Sequence, residues 1–293
     1  MPLMPVILTI LVILQSGLIV TGGAVRLTGS GLGCPTWPQC TKGSFKPIAH
    51  QAQGQLHAWI EFGNRLLTFV LFFVAIAAVI MTIRASVHRF DKRRVRLLAI
   101  FQLAGILGQG VLGGITVLTH LNPIPVAGHF LLTIALIAGA ISLRQRMLNK
   151  PAVELSETET VMTKVLLFLT LIVIALGTVV TGSGPHAGDI QARRFGFDPR
   201  TVSWIHADSV IALLSLTFGL LLILRISPSS QSKPIFAKAV KIFFLVCIAQ
   251  GGIGYIQYFT GLPELIVGTH LLGSALVWCS MWNVYVMKSL AKK

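Results

Sequence analysis

A chain of 293 residues with 54% hydrophobic and 11% charged side chains cannot cover a soluble globule, in which about a quarter of residues are charged. Its mean hydropathy of +0.80 agrees, and disorder, a collagen-like fibre or a disulfide-dense secreted mini-protein would each need another composition. What remains is an all-α polytopic membrane protein. The net charge of +15 does not mark a nucleic-acid partner, because no aromatic residues interleave with the basic ones.

Eight apolar stretches follow one another, at 5–25, 58–83, 97–118, 128–147, 161–182, 203–224, 239–259 and 266–287. Each reaches the ~20 residues that cross ~30 Å of hydrocarbon at ~1.5 Å per residue. In lipid each must satisfy its own backbone groups, which makes them helices. The first lacks a basic leader and a small-residue cleavage site and is read as a true span.

Of the 24 Lys and Arg, 17 fall in the segments after the even-numbered spans, at the starts of the spans that follow, and at the C-terminus. The connection Arg84 to Arg96 alone holds Arg84, Arg89, Lys92, Arg93, Arg94 and Arg96. By the positive-inside rule these segments and both termini face the cytoplasm of a multi-pass cell-membrane protein, where they also meet anionic lipid. The loops 26–57, 119–127, 183–202 and 260–265 then face outward.

The chain repeats itself. Gln109-Gly110 and Gln250-Gly251 lie 141 residues apart, as do His129 and His270, while Asn64 and His206 are 142 apart. Val20-Thr21-Gly22 answers Val180-Thr181-Gly182 at 160. Each half, 1–150 and 151–293, holds four spans, so both enter the membrane in the same sense. The expected architecture is two tandem four-helix bundles related by a pseudo-two-fold axis along the membrane normal.

Ionisable groups inside a membrane are costly and mark functional positions. His129, His206 and His270 open spans four, six and eight, and Glu61 opens span two with Asn64 one turn on. All lie toward the outward ends. His206 and His270, at one depth on facing helices, suit bis-histidine ligation of a haem iron; the plain alternative is that each ring bonds a backbone carbonyl or caps a helix. The first half offers Asn64 where the second has His206. Asparagine is a poor iron ligand, so that pocket holds a haem through His129 at most. Glu61 reads as a general base, as a stabiliser of positive charge, or as the simple partner of Arg65, four residues on.

Cys34 and Cys40 bracket Pro-Thr-Trp-Pro-Gln in the first outer loop, on the oxidising side, where a disulfide is expected as a loop staple or as a partner in thiol exchange. Cys247 and Cys279 read as small core residues. His50, His57, His120 and His186 read as solvated or capping. Glycines in 105–114 and 251–254 allow close helix approach, and Arg26 snorkels to headgroups or pairs with haem propionates.

The run Thr21-Gly22-Gly23-Ala24-Val25-Arg26-Leu27-Thr28-Gly29-Ser30-Gly31-Leu32-Gly33-Cys34-Pro35, continuing to Cys40, resembles the first outer loop of the heme A synthase family. Trp59-Ile60-Glu61 with Asn64-Arg65, the stretch Gln109 to Thr119, and Thr181-Gly182-Ser183-Gly184-Pro185-His186-Ala187-Gly188-Asp189 resemble further motifs of that family. The resemblance implies an oxidoreductase acting on a CH3 group, which converts the C8 methyl of heme O to a formyl group and yields heme A for terminal oxidases. It implies a heme b cofactor in the second half with His206 and His270 as axial ligands. In the first half it implies a substrate pocket with His129 on the iron and Glu61 as the catalytic carboxylate, and a redox-supporting Cys34–Cys40 pair. The chain departs from many members in carrying Asn64 where they carry histidine. Expected partners are the heme O substrate, a heme O synthase, and an external or quinone electron acceptor.

Two other classes compete. A non-catalytic dihaem cytochrome passing electrons from quinol needs two fully ligated haems, which Asn64 disfavours. A parallel-repeat permease needs broken helices and polar residues at the midplane, whereas the polar residues here gather near one face.

Overall fold

The computed structural model describes residues 3–85, 89–149, 153–227 and 233–289. They form eight long helices: α1 (Met4–Leu27), α2 (Gln55–Arg84), α3 (Arg89–Leu118), α4 (Pro123–Met147), α5 (Glu157–Ser183), α6 (Pro199–Ile226), α7 (Pro234–Phe259) and α8 (Glu264–Ser289). All eight are long and apolar enough to cross a membrane. Among the described residues the only β-type pairing is one isolated bridge, Thr41 to Ser44. The protein is an all-α polytopic membrane protein.

Local chemistry sets where the helices start. Proline occupies the first turn of α1, α4, α6 and α7, where its missing N–H costs nothing and its fixed φ is already helical. Asn122 accepts the N–H of Ile124 at 3.0 Å, and Asp198 accepts the N–H and hydroxyl of Thr201 at 2.8 and 2.6 Å. At α5, Ser156 and Glu159 close a reciprocal capping box that satisfies two otherwise orphaned donors. Helices α2 and α3 have 30 residues each, about 45 Å, and therefore extend past the apolar stretches read from the sequence. The basic connection shortens accordingly: α3 begins at Arg89, so Lys92, Arg93, Arg94 and Arg96 ride on its first turns rather than in a loop. Lys150, Lys292 and Lys293 lie outside the described residues.

Packing follows a ring in each set of four. Helix α1 touches α2 and α4, and α3 touches α2 and α4; α5 touches α6 and α8, and α7 touches α6 and α8. Each ring has its own core, around Leu8, Leu11, Leu71, Ile106 and Leu143 in the first and Leu166, Leu213, Leu220, Phe236 and Phe243 in the second. A third cluster, with Ile134, Ile137, Ala275 and Trp278, fills the seam between the rings. There α4 packs on α8, flanked by α1 on α8 and α4 on α5. The indole of Trp278 donates to the Ile134 carbonyl at 2.7 Å and that of Trp282 to the Ser142 hydroxyl at 2.8 Å. Lower on the seam Gln145 donates to Asn283 at 2.8 Å. With no water in the bilayer, such paired polar groups and close packing hold helices together.

At the end opposite the disulfide loop, the fully buried Glu159 pairs with Lys233 at 2.6 Å, tying the start of α5 to that of α7. Losing Glu159 would leave the Lys233 ammonium without this buried partner.

Candidate functional site

Each of the three span histidines lies against a glycine of the preceding helix. A Cβ built on Gly113 of α3 stands 3.4 Å from Cε1 of His129, on Gly177 of α5 it stands 3.4 Å from His206, and on Gly254 of α7 it stands 3.2 Å from His270. The imidazoles therefore pack in contact with the neighbouring helix at these glycines, most tightly at Gly254, where a methyl group would crowd the ring. Gly113 and Gly254 fall in the two stretches that the sequence marks for close helix approach. A Cβ on Gly105 would run into Leu136 of α4, as that reading expects, while Gly113 and Gly254 admit the imidazoles of the following helix. The missed signal was the glycine repeat itself, since Gly113 and Gly254 share the 141-residue spacing of His129 and His270.

A glutamine fixes the backbone behind two of these rings. Gln109 Nε2 donates to the His129 carbonyl at 3.1 Å and to the Thr133 hydroxyl at 2.6 Å, and Gln250 Nε2 donates to the His270 carbonyl at 2.8 Å. Gly273 clears the room for the Gln250 amide, whose oxygen a Cβ there would strike. The repeated Gln-Gly pair thus acquires a role that its spacing alone did not reveal.

The Nδ1 atoms of His129, His206 and His270 are buried without a hydrogen-bond partner; the Val173 backbone comes within polar reach of His206 without closing a bond of ordinary geometry. Among the described residues no group of three or more His, Cys, Asp or Glu is placed to hold a bare metal ion. Paired single imidazoles suit a porphyrin iron, whose ring supplies the other ligands.

The fourth quadrant differs. On α2, at the place answering His206, Asn64 accepts the Thr21 hydroxyl at 2.7 Å through Oδ1. Gly17 of α1 stands 160 residues before Gly177, and among the described residues no atom other than its own helix backbone and chain neighbours lies within 4 Å of a Cβ built there.

One turn before Asn64, the buried Glu61 is bound on both oxygens. Oε2 accepts the Cys34 N–H at 2.6 Å, and Oε1 accepts Arg65 Nη2 at 2.6 Å and Nε at 3.2 Å. The Arg65 guanidinium also donates to the carbonyls of Cys34, Thr36 and Gln39 at 2.9–3.2 Å. The Glu61–Arg65 pairing read as the simple alternative is therefore present. It does more than join two side chains, because Cys34 and Cys40 are disulfide-bonded and the same guanidinium gathers the ring between them. Gln51 Nε2 donates to the Gly33 carbonyl from the other side. Trp37, at the ring's tip, packs on Gly114 of α3, where a Cβ would come within 2.6 Å of the indole. The ring is thus held to α2 and α3 together, the two helices that carry Glu61 and the glycine seat of His129.

Arg26 sits apart from these groups. Its guanidinium donates to the Thr181 carbonyl at the end of α5 at 2.5 Å and lines a cleft with Leu121, Pro123, Val126, Gly182 and Arg193, so it bridges the two rings of helices. His57 bonds Ser30 through Nδ1 at 2.9 Å and His186 bonds the Leu262 carbonyl through Nε2 at 2.8 Å. Both are loop ties, in place of the solvated or capping roles read for them. His50 and His120 occupy exposed positive-φ turns. Cys247 is buried and free, and Cys279 lies 3.6 Å from the Ser16 hydroxyl at the seam.

Residues 5–282 match the model of the COX15-CtaA family, described as cytochrome oxidase assembly protein. Among curated proteins the chain is similar to a heme A synthase of Geobacillus thermodenitrificans, 34% identical over 113 residues, which are 38% of this chain and 32% of that protein. A heme A synthase of Geobacillus kaustophilus (strain HTA426) is 32% identical over 102 residues, 35% of this chain and 29% of that protein. One of Bacillus cereus (strain 03BB102) is 36% identical over 64 residues, 22% and 19%. The aligned part spans about a third or less of the length of these relatives.

Proposed function

Because the chain belongs to the cytochrome oxidase assembly protein family, we propose that it is an oxidoreductase that converts the C8 methyl of heme O to a formyl group, giving heme A for terminal oxidases. The observation that carries this reading is the unequal chemistry of two similar rings of helices. Residues 151–293 carry two imidazoles, His206 and His270, each packed against a glycine of the preceding helix. Residues 1–150 keep one such imidazole, His129, and add a buried carboxylate, Glu61. A purely electron-carrying pair of haems calls for two fully ligated irons, which the first half, with one imidazole, does not offer; a site that transforms a porphyrin calls for a reactive group beside it.

In this reading His206 and His270 hold a resident heme b, which supplies one-electron relay when bound. Gln250 holds the helix backbone at His270 by donating to its carbonyl. In the first half His129 takes the iron of heme O, and Gln109 does for it what Gln250 does for His270. Methyl to aldehyde takes its oxygen from water and releases four protons and four electrons, passing through an alcohol and the hydrate of the aldehyde; a heme b held by His206 and His270 would supply the relay for those electrons to an external or quinone acceptor. With both oxygens of Glu61 already accepting hydrogen bonds, the carboxylate serves as a fixed negative charge beside the reacting carbon more readily than as a free base. A pre-aimed charge costs no reorganisation when positive charge develops on the substrate.

The positive-inside distribution supports cytoplasmic termini and an outward-facing disulfide end in the cell membrane. The packing pairs support the pseudo-two-fold axis along the membrane normal: exchanging the two sets of helices turns α1 on α8 into α5 on α4 and returns α4 on α8 to itself. Heme O would come from a heme O synthase in the same membrane.

Co-expression with a heme O producing system, followed by haem extraction, tests the activity. Heme A accumulates with the native chain and not with Glu61→Ala; an absence of heme A from both would overturn the proposal.

A further inference from the structure

We propose that the first pocket binds the iron of heme O through His129 alone and keeps the opposite axial face open to a small exogenous ligand, water at rest. This rests on the reading of that pocket as the substrate site and adds how the iron is coordinated there.

Three of the four quadrants repeat one device, an imidazole laid on a glycine of the preceding helix: His129 on Gly113, His206 on Gly177, His270 on Gly254. In the fourth the glycine is kept and the imidazole is not. Gly17 corresponds to Gly177 and Thr21 to Thr181 at the same 160-residue spacing, and Asn64 stands where His206 would. The amide oxygen is the one atom of asparagine with lone pairs to offer iron, two of them and only weakly donating, and here the Thr21 hydroxyl donates to it at 2.7 Å and ties it to α1. Its remaining polar group, the NH2, has no lone pair to give. Among the described residues nothing from beyond the helix backbone comes within 4 Å of a Cβ on Gly17, so no other side chain takes the place of the imidazole. A neutral oxygen ligand such as water suits the space, since the amide NH2 is a donor to it.

The test is spectroscopic and does not depend on turnover. Full-length protein is purified with both pockets filled, heme O being supplied for the first, and its spin state is read by electron paramagnetic resonance and by the carbon monoxide difference spectrum after reduction. One haem is expected to be low-spin and silent to carbon monoxide, the other high-spin and carbon monoxide-binding. Asn64→Ala should keep the high-spin signal, because Asn64 is not a ligand. Asn64→His should convert it to low-spin and abolish the carbon monoxide response at unchanged haem content, because the glycine seat is already present. His129→Ala should remove the carbon monoxide-binding haem.

Two haems per chain, both low-spin and silent to carbon monoxide, would overturn the inference while leaving the substrate-site reading intact. Loss of the high-spin signal in Asn64→Ala would likewise overturn it, by making the amide a ligand. A carbon monoxide-binding haem that survives His129→Ala would overturn the substrate-site reading and the inference together.

Discussion

The backbone N–H of Cys34 donates to the Glu61 carboxylate at 2.6 Å, so the disulfide ring and the buried carboxylate are a single hydrogen-bonded unit. Arg65 completes it by bonding the other carboxylate oxygen and three loop carbonyls. Position of the carboxylate and closure of the loop therefore change together.

Arg65→Leu should leave Glu61 and the carbonyls of Cys34, Thr36 and Gln39 without their donor. Breaking such a buried pair costs about 3–5 kcal/mol, and the expected result is a loop open to proteases together with a fall in heme A of roughly tenfold or more. Arg65→Lys should recover little, because one ammonium cannot span the fan that a planar guanidinium spans. Limited proteolysis and haem extraction on the same membranes read the two effects. A protected loop in Arg65→Leu would show that Arg65 does not hold it.

The glycine seats make a graded prediction. Gly254→Val and Gly177→Val should push the rings of His270 and His206 off their helices and weaken retention of the second haem at least tenfold, about 1.4 kcal/mol. Gly17→Ala, with nothing beside it to meet, should leave that haem unchanged. Haem retention through gel filtration separates the cases; equal loss in all three variants would count against the seats.

Gln250→Leu removes the donor to the His270 carbonyl while keeping the volume. Changes of this outer kind typically cost about 10–100-fold in affinity for the bound group, and haem titration should show a loss in that range with the thermal midpoint little changed. Gln109→Leu should act the same way on the first pocket and spare the low-spin haem of the second.

Much of this was legible in the residues. Eight spans follow from hydropathy because lipid leaves the backbone no alternative to helices, and the halves follow from spacing because the repeated residues sit where the bundles need them. His129, His206, His270 and Glu61 stood out because a polar group inside an apolar stretch has no cheap explanation. Less visible was the function of Arg65, which depends on carbonyls of a loop 26–31 residues away. Gly113, Gly177 and Gly254 were hidden because a glycine looks the same in sequence whether it admits a helix or a ring. Helices α2 to α7 begin three to eight residues before the apolar stretches, α3 the furthest, because hydropathy does not detect the polar or capping residues of a first turn.

At the entrance to α6, hydrogen bonds from the hydroxyl and the N–H of Thr201 hold the fully exposed Asp198 carboxyl below the ordinary carboxylate range. A carboxyl whose folded value is depressed contributes its full stabilisation above the unfolded value and loses it as the pH falls through the folded one. Amide protection at residues 200–203, taken relative to the intrinsic exchange rate at each pH, should therefore fall on acidification below the ordinary carboxylate range. Asp198→Asn, which still caps, should flatten that dependence; unaltered pH sensitivity in the variant would assign it elsewhere.

His129 and His270 ride on α4 and α8, the helices pinned together where the Trp278 indole meets the Ile134 carbonyl. On the proposed reading, the tunnelling length between the two porphyrins is set by that buried seam, as firmly as the spacing of two posts set in one beam. Electron hand-over would then proceed without docking or diffusion, and the pace of substrate oxidation would follow how quickly the second porphyrin is emptied by its acceptor.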